Sequence, residues 1–166
     1  MSHFKPPLLI SACLLGDPVR YDGQAKGQNA ACLAQLAAHY QLLPVCPECA
    51  GGLPVPRPAA EIINGDGKQV LRGLAKVVTA SGEDVSQPFK AGAEHALQLA
   101  EQYGCQLALL KANSPSCGNR DIYDGSFSQQ LQPGQGVTAA LLLQHGLQVF
   151  NENEIDQLLA LVADAH

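Results

Sequence analysis

The sequence predicts an α/β fold of the Rossmann-like kind: a mostly parallel sheet flanked by helices, with a small antiparallel excursion. Three observations predict it. Four short apolar runs alternate with segments whose apolar residues recur at helical spacing. One stretch, "EIINGDGKQV", carries a Gly-Asp-Gly turn between short β-branched segments. No linker or shift in composition marks a second domain, so residues 1–166 are expected to form one.

The elements follow in order. "PLLISACLLG" gives a buried strand near residues 7–12, and "DPVRYDGQAKG" a polar loop. Leu33, Leu36, Ala37 and Tyr40 fall at i, i+3, i+4 and i+7, which predicts a helix over 28–40. "QLLPVC" is a second strand, ending in Cys46. "PECAGGLPVPRP" reads as loop because of its Pro and Gly content. The excursion spans 61–79 and ends in "LAKVVTA". Phe89, Ala93, Ala96, Leu97 and Ala100 mark a helix over 84–103, and "CQLALLKA" is the third strand. "GVTAALLLQHG" is a helix closed by Gly146, and "LQVFN" the fourth strand. A last helix is expected from Asn151, with Glu154 completing a capping-box-like pair.

Composition narrows the function. A chain of 166 residues, 46% hydrophobic and 15% charged, is long enough for one well-covered core. Its net charge is −5 and its ten Lys and Arg are scattered, which speaks against a nucleic-acid-binding stripe. No apolar run approaches the roughly 20 residues that cross a bilayer. "ISAC" has the look of a lipoprotein signal end. Pro6 and Pro7 leave only Leu8 to Ile10 ahead of it, against the about 7–15 apolar residues a signal needs, so a cytoplasmic protein is expected.

The six cysteines are the informative residues. In a cytoplasmic chain they point to metal binding or catalysis more than to disulfides, with buried packing as the plain alternative. Cys13, Cys46 and Cys117 each fall at or just past the carboxyl end of a predicted strand, the edge where open α/β sheets bind ligands. Cys32 falls inside a helix and Cys105 at the opposite sheet edge, where packing suffices. Cys46 and Cys49 form a Cys-x-x-Cys, yet "CPECAGGLPVP" does not read as a helix start, which a thioredoxin-like motif needs. Three converging thiolates suit an iron–sulfur cluster, zinc or copper(I), and none of the five His lies in these motifs. Spacing alone leaves a three-thiolate site and three inert buried cysteines both open. Glu48, two residues past Cys46, is a candidate general base, or a solvated surface residue. Ser114 and Ser116 could donate to a substrate or a cluster, or simply cap a turn. Asp17, Arg20, Tyr21, Asp22 and Arg120 could line a rim, with Lys26, Arg57 and Lys111 as further nearby cations.

The set "SACLLG", "RYDG", "PVCPE" with "GG" and "VPR", "KANSPSCG", "IYDG" and "GVTAALL" resembles the thiouracil desulfurase (TudS-like) family, from residue 8 to about 151. The resemblance implies a 4Fe-4S cluster held by Cys13, Cys46 and Cys117, with one iron left open. It implies non-redox removal of sulfur from 2-thio- or 4-thiouracil, giving uracil and sulfide. By the same resemblance, Glu48 is the catalytic acid/base and Ser114 its assisting hydroxyl. The partners implied are a small thiolated pyrimidine and the cell's cluster assembly machinery, with no membrane and no nucleic acid for this chain alone. Cys49 departs from the family pattern and puts a fourth thiol near the cluster. Two other readings stand beside it: a metal-independent enzyme using Cys117 as nucleophile, which lacks a motif-linked His, and a non-catalytic metal- or RNA-binding module, which the acidic balance disfavours.

Overall fold

The computed structural model describes residues 5–15 and 30–163. Its elements are β1 (Pro7–Ser11), a 3-10 turn (Ala12–Leu15), α1 (Ala30–His39), β2 (Gln41–Val45), α2 (Pro47–Ala50), β3 (Ala60–Ile63), α3 (Gly67–Leu71) and β4 (Lys76–Thr79). Then come α4 (Ser86–Tyr103), β5 (Leu107–Leu109), β6 (Asp121–Tyr123), β7 (Leu131–Pro133), α5 (Val137–Gln144), β8 (Gln148–Phe150) and α6 (Ile155–Ala163).

The main sheet is parallel, in the order β2-β1-β5-β8. Parallel strands are covered on both faces, so they read as continuous apolar runs. In β1, Leu8, Leu9 and Ile10 are all fully buried. Alternation sends Leu9 into a core with Ala96, Leu97 and Ala100 of α4 and Leu142 of α5. Leu8 and Ile10 face the other way, against Leu36 beside Tyr40, and Ile155 and Leu158 of α6. Left-handed glycines, Gly104 at φ 70 and Gly146 at φ 90, end α4 and follow α5. Two small antiparallel sheets, β3–β4 and β6–β7, complete the fold. Among the described residues no helix is long and apolar enough to cross a membrane.

The fold class and the four main strands match the sequence reading. Four details differ. The segment read as loop begins with a one-turn helix, α2, because Pro47 at its first position has the backbone angle a helix needs. The excursion holds a one-turn helix, α3, capped reciprocally by Asp66 and Gln69. The β6–β7 pair was not expected, since three residues per strand are too few to show a period. The last helix starts at Ile155, not Asn151.

The reason for the last difference is Glu154. Its carboxylate accepts the backbone N–H of Asn151 at 3.0 Å, as a capping pair would. The same carboxylate also accepts Asn119 Nδ2 at 3.0 Å and Arg120 Nε at 2.8 Å, and pairs with Arg120 Nη2. The pair therefore ties the loop after Cys117 to the turn before α6. Burial works to raise the Glu154 pKa, but the hydrogen bonds from Arg120, Asn119 and Asn151 outweigh it and hold it below its ordinary value of 4.5. A depressed carboxylate stabilises the fold above its ordinary pKa, and that stability is lost as pH falls through the folded value. Glu154→Gln is expected to cost roughly 1–3 kcal/mol at pH 7, the range for hydrogen bonds to a charged, buried group. Urea unfolding should show that gap between variant and wild type narrowing below pH 4.5.

Candidate active site

The sheet order creates the site. The chain leaves β1 for α1 on one face and leaves β5 for α5 on the other, so the segments after these adjacent strands diverge. A crevice opens at the carboxyl ends of strands at such a switch point. A cavity of about 720 Å³ lies there, lined among others by Cys13, Cys46, Cys117, Glu48 and Ser114. The five residues that the resemblance assigns to the site thus share one cavity.

Each thiol is delivered by a strand end. Cys13 sits in the 3-10 turn directly after β1 and is buried. Cys46 follows β2 and precedes α2. Cys117 lies in the segment after β5, 3% exposed. Ser11, the last residue of β1, joins two of these segments: its hydroxyl accepts the Lys111 backbone N–H at 3.0 Å and reaches Cys117 Sγ at 3.8 Å.

The stretch "NSPSCG" is a built turn. Asn113 takes a left-handed conformation, φ 73, which Asn tolerates better than most residues. Ser114 Oγ accepts the Cys117 backbone N–H at 2.7 Å, and its carbonyl accepts that of Gly118 at 3.0 Å. Ser114 therefore caps the turn and still has its own O–H proton to donate. The Pro115 and Ser116 carbonyls accept the first N–H groups of α5, from Val137 and Thr138, both at 2.8 Å. Ser116 is fully buried, and its hydroxyl pairs with Thr138 at 2.8 Å. Of the two serines, only Ser114 lines the cavity. Behind the turn, a Cβ on Gly136 would lie 2.4 Å from the Ser116 carbonyl carbon, so only glycine fits.

Two further glycines seat Cys46. A Cβ on Gly51 would meet the Pro88 oxygen at 2.0 Å, and one on Gly92 the Pro47 oxygen at 1.9 Å. The backbones of α2 and α4 thus touch directly. Cys46 does stand at a helix start, contrary to the sequence reading. One turn is too short for a strong dipole. Burial pushes Cys46 up to about 12, a backbone hydrogen bond near Cys49 opposes this, and the Glu48 charge adds to it. Cys117 is also pushed up, first by burial and then by Glu48, while the Ser116 and Ser11 hydroxyls work the other way.

Glu48 is no solvated surface residue. Its Oε2 pairs with Arg57 Nη2 at 2.8 Å, and the Arg57 side chain is 5% exposed. Arg57 also donates to the Pro54 carbonyl at 3.2 Å and approaches Cys49 Sγ at 4.0 Å. The sequence marks Arg57 only as a cation near the crevice; the Pro-rich loop folds it back onto the carboxylate nine residues earlier. Lys111 lines the cavity but pairs with Glu152 at 2.8 Å, and Arg120 is committed to Glu154. Cys49 is not among the lining residues, and Cys32 and Cys105 pack in the two cores. Asp17, Arg20, Tyr21, Asp22 and Lys26 lie outside the described residues. The small sheets add lining residues that no motif signalled, notably Glu61 and Phe127.

The donor set fits an iron–sulfur cluster. Three thiols are soft donors, and they come from three separate segments to line one cavity. Among the described residues no three His, Cys, Asp or Glu side chains group tightly enough to clasp a single metal ion. A polynuclear cluster asks for a wider set, since each thiolate takes a different iron.

Comparisons with known proteins agree. A family model described as 2-thiouracil desulfurase matches residues 8–154. An uncharacterized Bacillus subtilis (strain 168) protein, YbbK, is 44% identical over 152 residues, covering 92% of this chain and 99% of its own. A solved structure titled as the 4Fe-4S-dependent thiouracil desulfidase TudS is 48% identical, with a TM-score of 0.84, over 98% of this chain and 100% of its own. From strand ends to motif spacing, the chain belongs to the 2-thiouracil desulfurase family.

Proposed function

We propose that this chain is a thiouracil desulfurase. It converts thiouracil and water to uracil and hydrogen sulfide at a 4Fe-4S cluster held by Cys13, Cys46 and Cys117, with one iron open to substrate. The observation that carries the reading is the shared cavity: three soft donors, a carboxylate and a hydroxyl around a space of about 720 Å³. That volume lies within the usual range for small-molecule sites, about 300–1,000 Å³. The family and the TudS neighbour support it.

When bound, the cluster supplies a Lewis acid that draws electron density from the thiocarbonyl. The protein's own groups do the rest. Arg57 fixes Glu48 Oε2, leaving Oε1 to take a proton from water as its oxygen bonds to the thiocarbonyl carbon. Ser114, whose oxygen is engaged by the Cys117 N–H, directs its proton toward the reacting group. Phe89, Val85 and Leu53 provide an apolar wall that limits stray water. The C–S bond breaks, the sulfur leaves as sulfide, and the carbon keeps its oxidation level, so no electrons are exchanged.

A cysteine-nucleophile mechanism is poorly served here. Cys117 is buried, and among the described residues no histidine lines the cavity to activate it. The net charge of −5 supports a small thiolated pyrimidine over RNA as substrate. We read residues 1–166 as one cytoplasmic TudS-like domain, loaded by cluster assembly machinery.

The test is anaerobic purification followed by product analysis. The protein should be brown, with broad visible absorbance, and should yield uracil and sulfide in equal amounts. Activity should decay in air and return on reconstitution with iron and sulfide. Full activity in colourless, metal-free protein would overturn the reading.

A further inference from the structure

The cavity holds a second carboxylate that the mechanism does not use. Glu61 lies on β3, opposite Val78 of β4, and is 9% exposed. It lines the cavity with the three thiols. Its Oε1 accepts two backbone N–H groups from the β6–β7 turn, Gly125 at 3.0 Å and Phe127 at 3.1 Å. These bonds hold the turn over the cavity, where Phe127 and Gln129 line it in left-handed conformations, φ 56 and φ 61. Its other oxygen, Oε2, meets no donor among the described residues.

The other charged lining groups are accounted for. Glu48 and Arg57 bind each other, Lys111 binds Glu152, and Glu83 is exposed. That oxygen is not sealed in the protein, since among the described residues Gln135 Oε1 is the buried side-chain polar atom left without a partner; it is open to the cavity, where a ligand N–H can reach it. An ionised carboxylate can only accept, so it distinguishes rings that offer N–H from rings that offer a lone pair. In uracil-type rings N3 carries a hydrogen; in cytosine-type rings it is an acceptor. N3 also flanks the thiocarbonyl carbon in both the 2-thio and the 4-thio isomer.

We propose that Glu61 is a specificity-determining residue: Oε2 accepts the N3–H of the substrate ring, while Oε1 holds the turn that covers it. The substrate class is then the uracil-type thiolactam, and cytosine-type rings are rejected. This rests on the desulfurase reading for the identity of the ring.

Glu61→Gln is the informative variant. Its amide oxygen can keep the Gly125 and Phe127 bonds, while Nε2 places a donor where an acceptor stood. The measurement is calorimetric binding of uracil and of cytosine to cluster-loaded protein, with cluster absorbance as the control for folding. Wild type should prefer uracil. Glu61→Gln should shift the preference toward cytosine by on the order of 10–100-fold, the effect of a hydrogen bond to a charged group. Equal binding of both bases by wild type would overturn the proposal without any variant, as would an unchanged preference in Glu61→Gln with normal absorbance. Thiouracil turnover, followed in the same samples, separates the two claims. A shifted preference without wild-type turnover supports Glu61 as reader of the ring and removes the desulfurase reading. Turnover with an unchanged preference does the reverse.

Discussion

Replacing Cys13, Cys46 or Cys117 singly with alanine should abolish both the visible absorbance and the activity, while Cys32→Ala, Cys49→Ala and Cys105→Ala keep both. The three proposed ligands line the cavity; the other three cysteines do not. A cluster short of one thiolate has lost an iron anchor that water or hydroxide replaces poorly. The apoproteins should still fold, because the strands that carry these thiols are buried by their own apolar faces. Cys105 is 7% exposed in the core, so its truncation should cost about 1 kcal/mol of stability and no iron. Iron content, absorbance and urea unfolding measured together decide the matter. Retention of the cluster in Cys13→Ala with loss in Cys49→Ala would reassign the ligands.

Glu48→Gln should lower turnover by about 10²–10⁴-fold, the usual contribution of a positioned general base, with the cluster spectrum intact. Glutamine is the right replacement because of Arg57. Its amide oxygen can still accept from the guanidinium, whose side chain is 5% exposed. Alanine would instead strip a buried cation of its carboxylate, a change that commonly costs about 3–5 kcal/mol and would confuse catalysis with folding. Rates at saturating thiouracil, with chemistry shown to be the slow step, supply the test. Unchanged turnover would leave Glu48 a structural partner of Arg57 and nothing more.

The strands that carry the thiols were legible because parallel sheets impose a simple pattern. "PLLIS", "QLLPV" and "LAL" are apolar runs with no polar alternation, and a cysteine follows each within a few residues or at the end of the next turn. Ser114 and Glu48 were legible only as neighbours of those cysteines. The turn-capping reading of Ser114 holds, since its partner is three residues on, whereas the partner of Glu48 follows a loop whose path no period reveals. Arg57 reaches Glu48 only through the turn that the prolines impose. Glu61 was hidden for another reason. It belongs to a four-residue strand, and its partners lie 64 and 66 residues on, in a turn of a hairpin too short to read. Glu154 carried a true local signal that a longer-range one redirected, so the capping pair formed while the helix began later.

The contact between α2 and α4 has a consequence for which substitutions this chain can accept. Gly51 and Gly92 carry no side-chain chemistry, and neither lines the cavity. Each nonetheless faces a carbonyl oxygen with no space for even one more carbon, at 2.0 and 1.9 Å. The obstacle in both cases is backbone, which cannot swing aside as a side chain would. A methyl at either position would have to lever α2 off α4, and Cys46 stands on the end of that lever. The aim of one thiol is thus fixed by two missing side chains, one of them 46 residues away along the chain. Mutational drift at these two silent-looking positions is barred as firmly as at the cysteines themselves.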